Sequence, residues 1–405
     1  MEGSHKMLLK LAYKNIRGNG WRSLINMIIL AIVLTGMIWM QSMYRSWINL
    51  AEKQIIDWEV VKGHYQHKNY EPYDLYSWEK SLAPIPETMK EAIAANKAVP
   101  ILLSPATIYP QGRSTPVLVK GIEPTQSTMK IPAIELKSAN GNSHPGTAGT
   151  FLPAMIGTSM ARSSRLKEGD VLSLRLRNIH GAFDAADIII THIMKSPVPS
   201  LDVGTVWMDI AHLQELKDAP GFASLIVIGE EELGRKQFSE FKYMSPKDLL
   251  ADFARIKETE SSQQVIMFVI LIFLAMIAIF DTQVLAVFKR RKEIGTLIAL
   301  GMTKKEIISL FTLEGVLYSL FAIVLTAILG FPLFYYYAVV GFAMPEGFEG
   351  FEMAGLSEPI KFYYDPMVVI GCILLLVGFT AMFSWIPVSR IARLKATDAL
   401  RGKLK

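Results

Sequence analysis

Four long stretches of the sequence carry almost no charge, and this feature constrains the fold more than any other. A helix needs about 20 residues to cross the hydrocarbon core of a bilayer, and buried helices of soluble proteins are rarely this long and uncharged. We therefore predict four transmembrane helices rather than a large soluble helical core. They cover residues 23–44, 265–288, 307–344 and 366–389, and Asp281 interrupts the second.

Basic residues concentrate beside these spans and set their predicted orientation. They precede the first span, fill the connection between the second and third, and follow the fourth, whereas residues 345–365 are mainly acidic. Cytoplasmic loops are enriched in lysine and arginine, so residues 7–22, 289–306 and 390–405 are all predicted to face the cytoplasm. The net charge of +5 hides this asymmetry and is no evidence for binding to nucleic acid.

Residues 45–264, between the first and second spans, are predicted to form one large α+β domain outside the membrane. Short apolar runs bounded by turn residues favour strands, and amphipathic runs favour helices. The fold class is therefore a membrane α-helical protein with four transmembrane helices and a large α+β extracytoplasmic domain inserted between helices 1 and 2. The predicted strands are 101–103, 117–122, 171–176, 188–193, 204–208 and 225–228, the predicted helices are 87–96, 159–165, 211–216 and 231–241, and residues 138–149 are a predicted loop.

The two segments that join this domain to the membrane are predicted to be helical. Residues 40–53 continue the helical spacing of the first span, and residues 247–264 place Leu249, Phe253 and Ile256 on one face before the second span. Rigid stalks of this kind would couple movement in the membrane to the external domain. Ordinary juxtamembrane linkers are the alternative.

Three short segments on the predicted cytoplasmic side carry the strongest motif signal. Residues 10–23 read KLAYKNIRGNGWRS, residues 292–315 read KEIGTLIALGMTKKEIISLFTLEG, and residues 386–401 read IPVSRIARLKATDALR. In this order they resemble the FtsX-like permease family of ATP-binding-cassette (ABC) transporters. Weaker similarity to the external domains of that family, including the macrolide-exporter type, covers residues 61–70, 119–124 and 156–170.

The resemblance implies a role for the loop between the second and third spans. In the family this loop is a coupling helix that sits on an ATPase subunit. The residues alone equally allow a positively charged turn that holds the topology. The ATPase-coupling residues that the resemblance implies are Glu293, Ile294, Gly295, Leu297, Ala299, Leu300 and Gly301.

The resemblance also implies partners. The sequence has no GxxxxGK[ST] nucleotide-binding motif and no enzyme motif, so the chain is expected to be no enzyme and to hold no cofactor. ATP and Mg²⁺ are expected in a separate cytosolic ABC ATPase subunit. A second permease copy, identical or related, is expected beside this one in the lipid bilayer of the inner membrane.

The predicted layout, with four spans, a large periplasmic domain and no fused ATPase, resembles the lipoprotein-releasing permeases. That similarity implies mechanotransmission, in which ATP hydrolysis in the cytosol moves lipoproteins on the periplasmic side. Two alternatives stay open. One is a permease that exports a drug, peptide or other periplasmic substrate with a periplasmic adaptor and an outer-membrane partner. The other is a signalling scaffold that activates a cell-wall hydrolase.

Two acidic residues near the spans are candidate functional groups. Acidic side chains inside a span are costly, so Asp281 is predicted to pair within the bundle or to take part in coupling. Glu314 opens the third span and can pair with Arg290 or Arg291 of the preceding loop.

Gly330 and Pro332 are a candidate hinge in the third span. Proline removes a backbone hydrogen bond and can kink a helix, so the pair forms either a hinge or a static kink. No metal site is predicted, because the histidines are scattered and Cys372 is the only cysteine.

Overall fold

The computed structural model of the protein describes residues 2–18, 20–72, 74–137, 151–289, 295–297, 300–343 and 359–391, with side-chain detail at most of these positions. The chain divides into two compact units. The helical unit comprises Met1–Trp47, Lys257–Phe342 and Pro359–Lys405, and the α+β unit comprises Ile48–Ile256 and Ala343–Glu358. Each unit has its own hydrophobic core.

The α-helices follow the predicted pattern of long helices flanking a region of short ones. In chain order they are α1 (Glu2–Gly18), α2 (Trp21–Ile55), α3 (Leu75–Lys80), α4 (Glu87–Ala94), α5 (Thr158–Ser164), α6 (Pro199–Asp202), α7 (Ile210–Leu216), α8 (Pro246–Leu249), α9 (Ala251–Lys289), α10 (Lys304–Val339) and α11 (Pro366–Ile391).

Strands are confined to the α+β unit. They are β1 (His64–His67), β2 (Ala83–Pro84), β3 (Ala98–Ile108), β4 (Thr115–Ile122), β5 (Leu152–Gly157), β6 (Val171–Arg177), β7 (Phe183–Met194), β8 (Thr205–Asp209), β9 (Phe222–Ala223), β10 (Leu225–Ile228) and β11 (Phe241–Met244).

Three helices among the described residues are long and apolar enough to cross a membrane. The qualifying segments are Ser23–Val60, Lys304–Val339 and Pro366–Ser389. They account for three of the four predicted spans. The remaining prediction, residues 265–288, falls in α9, whose backbone is helical and many of whose side chains lie outside the described part of the chain.

The helical unit packs around one apolar core. Leu34 of α2, Met276 of α9, Ala322 of α10 and Leu376 of α11 are among its buried residues. Large apolar side chains also point outward, and Leu329 is 66% exposed. Such exposure suits a helix surrounded by lipid, where an apolar side chain carries no hydration cost.

The α+β unit contains a nine-stranded sheet that partly closes on itself. The strand order is β11-β1-β10-β3-β4-β8-β5-β7-β6, and β6 pairs again with β3 at Ala106↔Leu176. Strands β3, β4, β8, β5, β7 and β6 therefore form a barrel-like ring. Its pairs are antiparallel except for β4 with β8 and β5 with β7. The ring encloses a core that includes Leu102, Val119, Ile156 and Leu174.

The strands outside the ring build a second layer. β10, β1 and β11 extend the sheet beyond β3, and α4 covers them. Tyr65 lies at the centre of this layer, 1% exposed, and its hydroxyl donates to the carbonyl of Leu233 at 2.6 Å. Met89 of α4 and Phe241 of β11 complete the cluster.

Most predicted strands are present, but the helix predicted for residues 231–241 is wrong. A 3-10 turn covers Glu231–Arg235, and β11 begins at Phe241. β11 pairs with β1 along its whole length, from His67↔Phe241 to His64↔Met244. Of the predicted helix, this pairing involves only Phe241, its last residue, and the 3-10 turn replaces its first five residues. The sequence prediction also missed β5, and the loop predicted for 138–149 lies outside the described residues.

Candidate coupling site in the helical unit

The loop before α10 ends in a defined backbone motif. The Leu300 amide donates to the Thr296 carbonyl at 2.9 Å, and the Met302 amide donates to the Leu297 carbonyl at 3.0 Å. Gly301 lies between them with φ of +97°, in the left-handed region that favours glycine. This combination is a Schellman motif, which ends a helix at a fixed residue. The described part of the loop, residues 295–297 and 300–303, therefore includes one helical turn that ends at Gly301.

The start of α10 is equally well specified. The Thr303 amide donates to the Glu306 carboxylate at 2.8 Å, and the Glu306 amide donates to the Thr303 hydroxyl at 3.3 Å. This reciprocal capping box satisfies backbone groups that a helix N-terminus otherwise leaves unpaired. The direction in which the chain passes from the loop into α10 is therefore fixed.

Two leucines of the loop have opposite environments. Leu297 packs against Leu8 of α1 and Leu310 of α10, and Met302 joins the same cluster. Leu300 is 77% exposed. The loop is thus anchored to two helices on one side and presents an apolar side chain on the other.

Helix α1 supplies much of that anchor. Leu8, Ala12 and Ile16 recur every four residues and are all buried. This spacing places them on one stripe of the helix, as expected for an amphipathic helix that packs on one side only. Leu8 and Ala12 contact Leu310, so α1 lies along the start of α10.

A buried polar network joins three helices beside this cluster. The Asn15 amide of α1 donates to the Glu314 carboxylate of α10 at 3.5 Å, and the Tyr318 hydroxyl donates to the same carboxylate at 3.3 Å. Ser23 of α2 shares a hydrogen bond of 3.1 Å with the Tyr318 hydroxyl. Glu314 is 3% exposed. A buried carboxylate is stable only when it is hydrogen-bonded or paired, so the network fixes α1, α2 and α10 together.

Helix α11 packs on the same end of α10. A Cβ added to Gly315 would overlap the side chain of Ser384, so the glycine permits close approach of the two helices. Val388 of α11 is buried against Ile307 and Phe311 of α10. The structure therefore brings together parts of all three segments that carry the family resemblance.

The structure describes only part of the predicted site. Gly295 is buried, and Leu297, Leu300 and Gly301 lie as described above. The other predicted positions lie outside the described residues or side chains, namely Glu293, Ile294, Ala299, Asp281, Arg290 and Arg291.

The candidate hinge lies inside a continuous helix. α10 runs through Pro332, and Gly330 is buried. A Cβ on Gly330 would come within 3.5 Å of the Thr35 hydroxyl of α2 and 2.9 Å of the Phe334 ring. Four residues earlier, the Thr326 hydroxyl donates to the Ala31 carbonyl of α2 at 3.1 Å. Gly330 thus supports close packing of α2 on α10.

The α+β unit contains a π-helical turn that was not predicted from the sequence and that specific contacts hold in place. A π-helical turn, Ile56–Val60, follows α2, and Val61 has φ of +51°, a strained value for a β-branched residue. Asp57 pairs with Lys130 at 2.7 Å. Glu59 lies 3.7 Å from the Lys120 ammonium and accepts a hydrogen bond from Ser200 at 3.0 Å. These contacts tie the turn to the sheet, and no sequence motif signals them.

Within the described residues, no group of three or more His, Cys, Asp or Glu side chains could hold a metal ion. His64 is a buried residue of β1, and burial lowers its pKa to about 4, an effect that nearby Glu59 partly offsets. The buried Asp202 carboxylate is held by the Ser159 hydroxyl and amide at the start of α5. These groups stabilise the fold of the α+β unit.

Three helices among the described residues that are long and apolar enough to cross a membrane indicate a membrane protein, which also has a separate α+β unit. Residues 265–396 match the family model described as FtsX-like permease C-terminal. The chain therefore carries an FtsX-like permease domain, and the predicted resemblance is confirmed across these residues. Comparison with curated proteins gave no match.

The matched family indicates the general kind of function. FtsX-like permeases are membrane transport components rather than a catalytic family, and they generally work with an ABC ATPase. The match thus indicates a permease subunit of an ABC transporter.

Proposed function

We propose that the chain is the permease subunit of an ATP-driven ABC transporter of the mechanotransmission type. A separate cytosolic ATPase binds the loop that ends at Gly301. The observation that carries this proposal is the contrasting burial of two leucines three residues apart. Leu297 is packed into the helical unit, whereas Leu300 is exposed and can contact a partner.

Movement of the loop would be passed on because the loop is not free to move alone. Its packed side contacts α1 and α10, and the network around Glu314 links both helices to α2. A push on Leu300 would therefore displace several helices together. Rigid, well-packed elements transmit displacement where loose ones absorb it.

The lengths of two helices support transmission beyond the bilayer. α2 has 35 residues and α9 has 39, whereas about 20 suffice to cross the hydrocarbon core. The surplus residues give each helix a stalk outside the membrane. We propose that these stalks carry the movement to a periplasmic α+β domain, while both chain termini and the loop face the cytoplasm of the inner membrane.

The substrate we propose is a lipoprotein released from the inner membrane. The support is the layout: spanning helices, one large α+β unit after the first of them, and an FtsX-like permease domain. A second permease copy, identical or related, would complete the complex with the ATPase.

Substitution of Leu300 tests the docking site directly. Leu300→Asp should abolish copurification of the ATPase without loss of folded permease, because the side chain is exposed and a buried charge at an interface is costly. Ile134→Asp is the matched control, since Ile134 is also an exposed apolar residue, at 57%, but lies in the α+β unit. Equal ATPase recovery with both variants would refute docking on this loop.

The substrate is tested separately with the purified permease–ATPase complex in proteoliposomes. ATP-dependent transfer of a triacylated lipoprotein to a soluble acceptor is the expected result. Failure of transfer by a complex that still hydrolyses ATP would reject lipoprotein release and leave the transporter class intact. Stable recovery of a periplasmic adaptor or a cell-wall hydrolase instead would support the corresponding alternative.

A further inference from the structure

One face of α1 is basic and unused by the packing described above. Lys10, Lys14 and Arg17 lie on the side of the helix opposite Leu8, Ala12 and Ile16, and all three are exposed. Among the described residues, no carboxylate lies within ion-pair distance of Lys10 or Lys14. Two positive charges one helical turn apart are therefore available to an anionic ligand.

An apolar groove lies along α1 and reaches Leu317 of α10. It has a volume of about 1110 Å³ and is lined by Leu9, Leu11, Tyr13 and Leu317, with Lys10 and Lys14 at its edge. Leu9 is 50% exposed and Tyr13 is 52% exposed. The groove is thus an open apolar surface with a positively charged rim.

The position of the groove along α10 indicates what surrounds it. Leu317 belongs to the membrane-spanning candidate Lys304–Val339, and the Tyr13 ring lies 6.3 Å from the ring of Phe321 in the same segment. Helix α1 therefore packs beside residues that lie inside the predicted bilayer. An amphipathic helix at this level has acyl chains on one side and lipid headgroups on the other.

We propose that this groove binds an anionic phospholipid from the leaflet next to α1. The acyl chains lie against Leu9, Leu11 and Leu317, and the phosphate lies between the ammonium groups of Lys10 and Lys14. Lysine suits this role because its apolar stem can lie along the groove while its charge stays at headgroup level. Basic pockets beside transmembrane helices are suited to anionic headgroups, whereas a zwitterionic lipid has no net charge to complement the two lysines.

The bound lipid would act as a third contact for α1, beside the apolar stripe and the Asn15–Glu314 hydrogen bond. This inference goes beyond the proposed transport function and does not need the ATPase. It predicts that the permease alone distinguishes lipids by charge.

Native mass spectrometry of the full-length protein in detergent tests the proposal. Phosphatidylglycerol and phosphatidylcholine are titrated separately, and the bound fraction is measured. Wild-type protein should bind phosphatidylglycerol more tightly. The double variant Lys10→Gln/Lys14→Gln should weaken phosphatidylglycerol binding roughly 30-fold and leave phosphatidylcholine binding unchanged. Lys10→Arg/Lys14→Arg should keep the preference.

The control variant also removes two positive charges, but from a different part of the chain. Lys68→Gln/Lys195→Gln changes exposed lysines of the α+β unit and should bind both lipids as wild type does. All variants should elute as monodisperse protein, because the substituted side chains are exposed. Equal binding of the two lipids by wild type, or unchanged phosphatidylglycerol binding by the Lys10/Lys14 variant, would overturn the proposal. If that variant lost only ATPase recovery, the basic face would bind protein rather than lipid.

Discussion

The side-chain amide of Asn15 meets the carboxylate of Glu314 across 3.5 Å, although 299 residues separate them in the chain. Each residue belongs to a segment that resembles FtsX-like permeases, and the contact joins the N-terminal helix to the first turns of α10. Glu314 also accepts a hydrogen bond from Tyr318, which in turn contacts Ser23. The carboxylate is thus the centre at which three helices are held together.

Removal of the Glu314 carboxylate should loosen this end of the helical unit. Glu314→Ala leaves the Asn15 amide and Tyr318 hydroxyl without this acceptor, and an unsatisfied buried polar group costs about 1–3 kcal/mol. We expect a lower thermal unfolding midpoint, measured on the purified protein. Glu314→Gln keeps a side-chain oxygen and should recover most of the stability. An alanine variant as stable as wild type would show that the network contributes little.

Gly301 should tolerate no side chain without strain. At φ of +97° an L-residue is disfavoured, by about 1–2 kcal/mol in the left-handed region. We expect Gly301→Ala to weaken ATPase binding, and Gly301→Pro to uncouple ATP hydrolysis from transport.

Gly378→Ala is the matched control for the loop variant. Gly378 lies within α11, and a Cβ there meets nothing within 4 Å. Alanine favours helix over glycine by about 1 kcal/mol, so this control should be neutral or slightly stabilising. Equal effects of the two substitutions on ATPase binding would argue against a special role for Gly301.

Labelling of introduced cysteines should show which side of the membrane each of the two units faces. The native Cys372 is 4% exposed and should stay unlabelled. In intact cells, a maleimide that cannot cross the inner membrane should label Ile134→Cys and spare Leu300→Cys. Leu300→Cys should react once the cells are permeabilised. The reverse pattern would invert the proposed topology.

The α+β unit should lose stability in mild acid because of His64. Burial lowers the pKa of its imidazole to about 4, from an ordinary value of 6.5. Between these values the unfolded chain binds a proton that the folded chain does not, so stability is full above pH 6.5 and falls as the pH drops toward 4. The loss should approach about 3 kcal/mol.

Urea unfolding of the full-length protein, followed by tryptophan fluorescence to which the buried Trp207 contributes, measures this effect. His64→Gln should flatten the pH dependence between pH 6.5 and 4. A pH dependence that is the same in wild type and in the His64→Gln variant would assign the acid sensitivity to other groups.

Periodicity and charge in the sequence predicted the helical part of the fold well. Long uncharged runs have few alternatives to a spanning helix, so three candidates are present in the described residues at the expected places. Gly301, one of the coupling residues that the family resemblance implies, has a positive φ in the structure, a conformation that glycine adopts at little cost. The strands at 117–122 and 171–176 were also predicted from short apolar runs.

The features of the fold that were not predicted depend on pairing between residues that are far apart in the sequence. β11 was not predicted, and only its first residue, Phe241, fell in the predicted helix 231–241; the strand pairs along its whole length with the distant β1. The second pairing of β3, with β6, closes the ring and has no local signature. The contact between Asn15 and Glu314 and the ion pairs of the π-helical turn likewise join residues far apart in the chain. A single sequence gives residue types and spacing but does not show which distant residues meet.

The first and last strands of the α+β unit are neighbours in the sheet, because His64 of β1 is paired with Met244 of β11. Equal tension applied in the same direction at His64 and Met244 would move the sheet as a rigid body, with no hydrogen bond broken. Unequal tension would load the hydrogen bonds between β1 and β11, which is the terminal strand of the sheet among the described residues. A displacement applied equally at both ends would therefore leave the β1–β11 pairing intact, whereas a displacement applied at one end alone would strain it.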